Sequence, residues 1–236
     1  MFGTGTIINV CAIIIGGSLG LIAGKWIPNH CQEMILRIMG TCVLLVGISG
    51  VLEQMIVIHN STITTKGTMM MVISMSLGCL VGEVLNLEGR IENFGCWLRE
   101  KSGHSGDKYF LEAFICTTMT VGIGAMAVVG AVQDGIYGDN TTLVAKSLMD
   151  FVIVLVMASS MGKGCIFSAI PVAILQGSIT LLAHFIEPLL TITALSNLSM
   201  VGSALIFCVG VNLIWENTFR LANLLPSLII AILYMW

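Results

Sequence analysis

Charge is the scarcest property of this chain. Asp, Glu, Lys and Arg together make up 10% of its 236 residues, and a soluble domain needs far more to cover its surface. With 13 acidic and 10 basic residues the net charge is −3, and no nucleic-acid partner is indicated. Cysteine is present but never grouped: Cys11, Cys31, Cys42, Cys79, Cys96, Cys116, Cys165 and Cys208 stand singly, with no C-x-x-C pair or Cys/His cluster. Neither a zinc site nor a disulfide framework is therefore indicated, and no other cofactor is expected. There is no Walker A loop, so the chain does not power a pump by itself. Nor is there an H-E-x-x-H or G-x-S-x-G stretch, or a pair of intramembrane aspartates on separate helices, so an enzyme is not expected.

What fills the chain instead is apolar sequence, 56% hydrophobic with a mean hydropathy of +0.99. A hydrocarbon core about 30 Å thick needs about 20 apolar residues in a helix. Eight runs of that kind can be drawn: Thr4 to Gly24, Met34 to Glu53, Gly67 to Leu87, Phe110 to Val132, Thr141 to Gly162, Cys165 to Glu187, Leu198 to Trp215 and Leu221 to Trp236. The expected fold is all-α, a polytopic transmembrane bundle of about eight helices forming one integral membrane domain over residues 1–236. The first run has no basic region ahead of it and no small-residue cleavage site behind it, so it reads as a retained helix. Lys25, Arg37, Arg90, Arg99, Lys101, Lys108, Lys163 and Arg220 fall in loops on one side and Lys66 alone on the other. Positive charge stays on the cytoplasmic side, which predicts both termini outside. Trp26, Trp97, Trp215 and Trp236 fall near predicted helix ends, where amphipathic rings settle at the interface.

The longest polar segment, Glu88 to Tyr109, belongs to the inner side. Its first half has Ile91, Phe94, Trp97 and Leu98 on one helical face, the pattern of an interfacial amphipathic helix, and SGHSGD in its second half reads as a loop.

The chain also repeats itself. IIGGSLGLIAGKWIP (Ile14 to Pro28) aligns with ILQGSITLLAHFIEP (Ile174 to Pro188) at an offset of 160, with six of fifteen positions identical. Further on, LVGIS (Leu45 to Ser49) resembles CVGVN (Cys208 to Asn212), with Gly47 against Gly210. Helices one to three (about 4–87) thus recur as helices six to eight (about 165–236), with the inner loop 88–109 and helices four and five (about 110–162) between them. Five helices separate the two starts, so the second copy enters the membrane from the opposite side. Inverted repeats of this kind accompany alternating access, with a site near the midplane where the copies meet.

The run VGIGAMAVVGAVQDGIYGDNTTLVAKSLMD (Val121 to Asp150), followed by FSAIPVAILQGSITLLA (Phe167 to Ala183) and RLANLLPSL (Arg220 to Leu228), is similar to the bacterial inner-membrane family called domain of unknown function 554. The opening GTIINVCAIIIGGSLG (Gly5 to Gly20) fits the same family, so the resemblance spans nearly the whole chain. It implies a multi-spanning protein of the bacterial inner membrane, a class often labelled transporter or channel. It brings no substrate and no site residue.

Candidate chemistry is read from the residues alone. Lys146 and Asp150 stand four apart in the fifth run, and an ionisable group near mid-depth costs about 2.5–3.5 kcal/mol on insertion scales. It therefore faces a partner or a water-filled cavity. The order Lys then Asp is the weaker one for an intrahelical pair, and it puts the cation nearer the positive end of the helix. Lys146 can alternatively snorkel outward along its stem, and Asp150 can be locked in a static pair with it. Gly122 and Gly124, after Thr120, interrupt the fourth run at mid-depth and can expose backbone groups to an ion, or serve close helix packing. Gln176 and Ser178 in helix six and Ser18 in helix one are further mid-depth polar groups, Ser18 and Ser178 being repeat partners. Gln133 and Asp134, in the QDGIYGD segment taken as the outer loop, are candidates for an outer gate or an ordinary polar turn.

The function expected from these features is secondary transport of a small ion or solute. The alternatives are an ion channel and a non-transport assembly subunit. The implied partners are the lipid bilayer and that solute; self-association into a homo-oligomer is left open.

Overall fold

The computed structural model describes residues 3–26, 28–59, 62–101, 109–122, 125–186, 191–215 and 218–234. It is helical nearly throughout. The helices are α1 (Thr4–Gly24), α2 (Asn29–Met55), α3 (Thr68–Leu85), α4 (Leu87–Lys101), α5 (Phe110–Gly122), α6 (Ala125–Ile136), α7 (Thr141–Met161), α8 (Gly164–Phe167), α9 (Ala169–Leu181), α10 (Ala183–Ile186), α11 (Ile192–Ile214) and α12 (Pro226–Leu233), the last preceded by a 3-10 turn at Leu221–Leu224. Glycines and prolines mark the boundaries. Gly3 and Gly67 lead into α1 and α3 with left-handed backbone, Pro28 precedes α2 and Pro226 opens α12.

Six stretches are long and apolar enough to cross a membrane: Thr4–Gly24, Arg37–Met55, Thr68–Leu85, Thr141–Met161, Gly164–Leu181 and Ile192–Ile214. The fourth predicted run is two helices, α5 and α6, bent by 61° at their junction, and as one broken span they make a seventh. The eighth run is shorter than expected, an apolar segment of Leu221–Leu233 that begins as a 3-10 turn. Large apolar side chains such as Ile7, Ile15, Leu45, Val84, Leu148 and Leu181 face outward, as lipid-facing surfaces do.

Between α2 and α3 the chain forms a two-stranded antiparallel hairpin, Ile56–His59 with Thr62–Thr65, in register Ile56↔Thr65 through His59↔Thr62. It was unexpected, because four-residue strands are too short to stand out between two helical runs, although Ile56, Val57, Ile58 and Thr62 to Thr65 are β-branched. The amphipathic helix expected after Glu88 is present as α4. Leu98 is buried, and Phe94 stacks on Trp97 at 5.9 Å and meets Phe114 of α5 at 6.2 Å. The SGHSGD loop lies outside the described residues.

Close packing is achieved through glycine. Gly16, Gly20 and Gly24 bring α1 directly onto the backbone of α7, where they lie against the carbonyls of Phe151, Leu155 and Ser159. The constant offset means that the two helices run parallel. In lipid there is little hydrophobic drive between helices, so small residues that let backbones touch supply the attraction. Gly40 and Gly47 of α2 pack against α11 in the same way, and Gly78 and Gly82 of α3 sit on Ser227 and Asn223. The glycine row in α1 determines the site, because it fixes the depth at which α1 meets α7.

Where α4 meets the last segment, the Glu88 carboxylate accepts the Ala222 N–H at 2.7 Å, and the Glu88 N–H donates to Asn223 Oδ1 at 2.7 Å. Half-burial pushes the Glu88 carboxyl above the usual carboxylate range, against the opposing pull of that N–H.

Two outcomes follow for stability. Gly20→Ala places a methyl against the Leu155 carbonyl and Ala158 and should cost about 1–3 kcal/mol. Gly177→Ala has no atom within 4 Å and should leave the melting temperature unchanged or raise it; melting of the two variants in detergent checks both. Because the folded pKa of Glu88 is raised, its contribution is complete below the unfolded value and is lost as pH rises through the folded one. Glu88→Gln should therefore lose less stability than the parent as pH rises above about 4, which melting in detergent over a pH series checks.

Candidate functional site

Asp150 is the tenth of the 21 residues of α7, roughly 13 Å along the helix from Thr141. It is 3% exposed and Lys146 is 6% exposed, so neither group reaches the surface. The Lys146 ammonium donates to Asp150 Oδ2 at 2.5 Å and to the backbone carbonyl of Val121 at 2.7 Å. Lysine thus turns inward along the helix face and does not snorkel.

The Val121 carbonyl explains the placement of the cation. Val121 is one residue from the end of α5, where a helix has four carbonyls without intrahelical donors and a partial negative charge. In α7 alone, Lys146 sits on the unfavourable positive half; toward α5 it meets a negative helix end. The bend between α5 and α6 brings that end to mid-depth, next to Asp150. Gly122 is buried at the last position of α5, with Val172 of α9 opposite it. Gly124 lies outside the described residues.

A second buried polar pair adjoins the first. Asn9 of α1 and Gln176 of α9 are both 0% exposed, and Asn9 Nδ2 donates to Gln176 Oε1 at 3.1 Å. Asn9 also lies near the Asp150 carboxylate. Asn9 Oδ1 and Gln176 Nε2 find no hydrogen-bond partner among the described residues. One helical turn nearer the α1 N-terminus, Thr6 Oγ1 meets Thr180 Oγ1 at 3.5 Å. Polar groups from α1, α5, α7 and α9 therefore converge inside the bundle, and one turn away on three of those helices stand the fully or nearly fully buried Ile13, Val154 and Val172.

Other predicted residues lie elsewhere. Gln133 and Asp134 are in the last turns of α6 and not in a loop, because α6 continues to Ile136. Asp134 is fully buried and accepts the Gly5 N–H at 2.9 Å, satisfying one of the free donors at the start of α1. Gln133 Oε1 accepts from Thr142 Oγ1 at 2.8 Å, and Asn140 Nδ2 donates to Thr4 Oγ1 at 3.0 Å, so α6, α1 and α7 are tied at one end of the bundle. Outside the spans, Asp139 accepts from both the backbone and hydroxyl of Thr141, which hold its carboxyl below the usual range.

Ser18 and Ser178 do not join the cluster. Both are exposed, and their hydroxyls donate to carbonyls of their own helices, Ile14 at 2.7 Å and Leu175 at 2.8 Å. Ser18 instead lines an open cavity of about 560 Å³ at the far end of α1 with Lys25, Ser159 and Lys163. Thr120 is bonded at 2.7 Å to the Cys116 carbonyl within α5. In the sequence Asn9 is one polar residue within the first apolar run. Its adjacency to Gln176 was not readable, because it depends on the angle at which α1 and α9 meet.

Residues 4–236 match the model of a family described as Protein of unknown function (DUF554). The chain is 28% identical over 226 residues to the "Uncharacterized membrane protein YdfK" of Bacillus subtilis (strain 168), covering 96% of this chain and 93% of that protein. It is 27% identical over 234 residues to the "Uncharacterized protein YqgA" of Escherichia coli (strain K12), covering 96% and 94% respectively. No solved structure matches the chain.

Removing one partner of a buried ion pair leaves the other charge uncompensated. Lys146→Met should destabilise the fold by about 3–5 kcal/mol, and adding Asp150→Leu should recover most of that loss. Chemical or thermal unfolding of the single and double variants in detergent tests this; an undisturbed Lys146→Met would mean that the pair is not held as a unit.

Proposed function

The chain belongs to the Protein of unknown function (DUF554) family, and on that premise we propose that it is a secondary transporter of a small ion or solute in the bacterial cytoplasmic membrane. The observation that carries this reading is the Lys146–Asp150 pair, buried at mid-helix and closed by the Val121 carbonyl of a broken span. Stability alone does not call for such a pair, since apolar side chains could replace it, and this one is placed where an interrupted helix offers backbone groups at mid-depth. In this role Asp150 takes the transported or coupling ion, and Lys146 is the counter-ion that it displaces. The Bacillus subtilis relative bears the name of a membrane protein, and the excess of Lys and Arg on one side supports both termini outside.

The packing supports inverted repeats, with α1 to α3 forming one copy and α8 to α12 the other. Each helix of the first copy touches its counterpart in the second: α1 with α8 and α9, α2 with α11, α3 with α12. Gly47 lies on Phe207 and Gly210 on Leu44. The same offset of 163 that aligns Gly47 with Gly210 aligns Leu44 with Phe207, so exchanging the copies turns one contact into the other, as a two-fold axis between α2 and α11 requires. In this scheme Gln133 and Asp134 form the outer gate, tying α6 to α7 and α1 and releasing them when the broken span moves.

Asp150→Asn leaves the Lys146 ammonium without its anion, so it should melt below the parent, as Lys146→Met does, and the protein that folds should show no flux in liposomes. Equal flux from both proteins would remove Asp150 from the mechanism. The bend in α5 and α6 also favours a channel as the second reading, distinguished by large unitary currents in place of saturable exchange.

A further inference from the structure

A lysine ammonium is a monovalent cation on a tether, and the groups that hold Lys146 are all oxygens. Its nitrogen takes Asp150 Oδ2 and the Val121 carbonyl. The neighbouring Asn9–Gln176 pair adds two more oxygens in fully buried amides: Asn9 Oδ1, which has no partner among the described residues, and Gln176 Oε1, which accepts from the Asn9 amide. An orphaned amide oxygen in an apolar interior is costly, and for this reason such groups are normally paired. A carboxylate, a helix-end carbonyl and two amide oxygens make the hard donor set that alkali and alkaline-earth cations take.

The charge of the site selects between them. When the ammonium leaves, Asp150 supplies one negative charge, which a monovalent ion neutralises and a divalent ion would overbalance in a medium that tolerates no excess charge. A bare proton on Asp150 would neutralise it too, but would leave the Asn9 oxygen and the Val121 carbonyl unused.

We propose that Asp150, the Val121 carbonyl, Asn9 and Gln176 form a seat for a sodium-class alkali cation, which the Lys146 ammonium occupies as a tethered competitor. The proposal rests on the carrier reading and names its coupling ion. Cation and lysine exclude one another: on binding, the ammonium turns outward along its stem and the ion takes over the Val121 carbonyl and Asp150, and on release the lysine returns to both. That exchange links the ion to the bend between α5 and α6.

The test is thermal melting of the purified full chain in sodium chloride and in equimolar choline chloride, whose cation is too large for the seat. Sodium should raise the melting temperature of Lys146→Met by about 3–6 °C at tenfold above half-saturation, and the parent by less, because its lysine competes. Asn9→Ala, placed on either background, should erase the gain while leaving the Asp150 carboxylate in place. If Lys146→Met does not fold, the parent and Asn9→Ala decide the matter by themselves. Identical melting in the two salts for every folded variant overturns the assignment, as does a sodium gain that survives Asn9→Ala. Asp150→Asn separates the two levels. If it transports like the parent, the carrier reading falls; if it is inactive while no protein responds to sodium, only the sodium seat falls.

Discussion

The end of a helix inside an apolar bundle is a problem that some other part of the chain must solve. α5 stops at Gly122, at mid-depth, and its last carbonyls have no donors of their own. Water meets such groups at the surface of a soluble protein; here the donor has to be a side chain. Lys146 provides it at Val121, and a cation carried that deep needs an anion, which Asp150 provides one turn further along α7. The interruption of one span thus accounts for the charge pair in another. The pair is also the reason that the break can be stable without being permanent, since its two charges can part only if something else neutralises them.

The depth of this arrangement is determined by glycine contacts some distance from it. Gly16, Gly20 and Gly24 fix how far α1 slides along α7, and by that register Asn9 comes beside the turn of α7 that begins at Lys146. At the same end of α1 its first free N–H is taken by Asp134 of α6, so both halves of the broken span are attached to α1 and α7, one through a carboxylate and one through an ammonium. The mid-depth pair and the end of the bundle are thus joined through α1 and α7.

Most of the architecture was legible in the chain itself, since a membrane limits the choices: apolar runs of about 20 residues become helices because no other local structure satisfies every backbone group. The amphipathic face of α4 and the break near Gly122 were readable for the same reason. The hairpin at Ile56–His59 and Thr62–Thr65 was not, because strand pairing in such short segments is decided by neighbours and leaves no periodic mark. The end of α6 was misplaced for a related reason. Polar residues such as Gln133 and Asp134 signal a turn in isolation, but here Thr142 and the start of α1 give them partners within the helix.

By itself the sequence determined that Lys146 and Asp150 would share a helix face at mid-depth, since spacing and the length of the run decide both. It also determined that neither would be explained by its own helix, since the order of the charges opposes the dipole. Only the tertiary structure decided which way the lysine turns, because its choice between the surface and the interior depends on a carbonyl 25 residues away. It likewise decided that Gln176 enters the site and Ser18 and Ser178 do not. A helical position says that a side chain is at a given depth; which direction it faces is settled by the neighbours that pack against it.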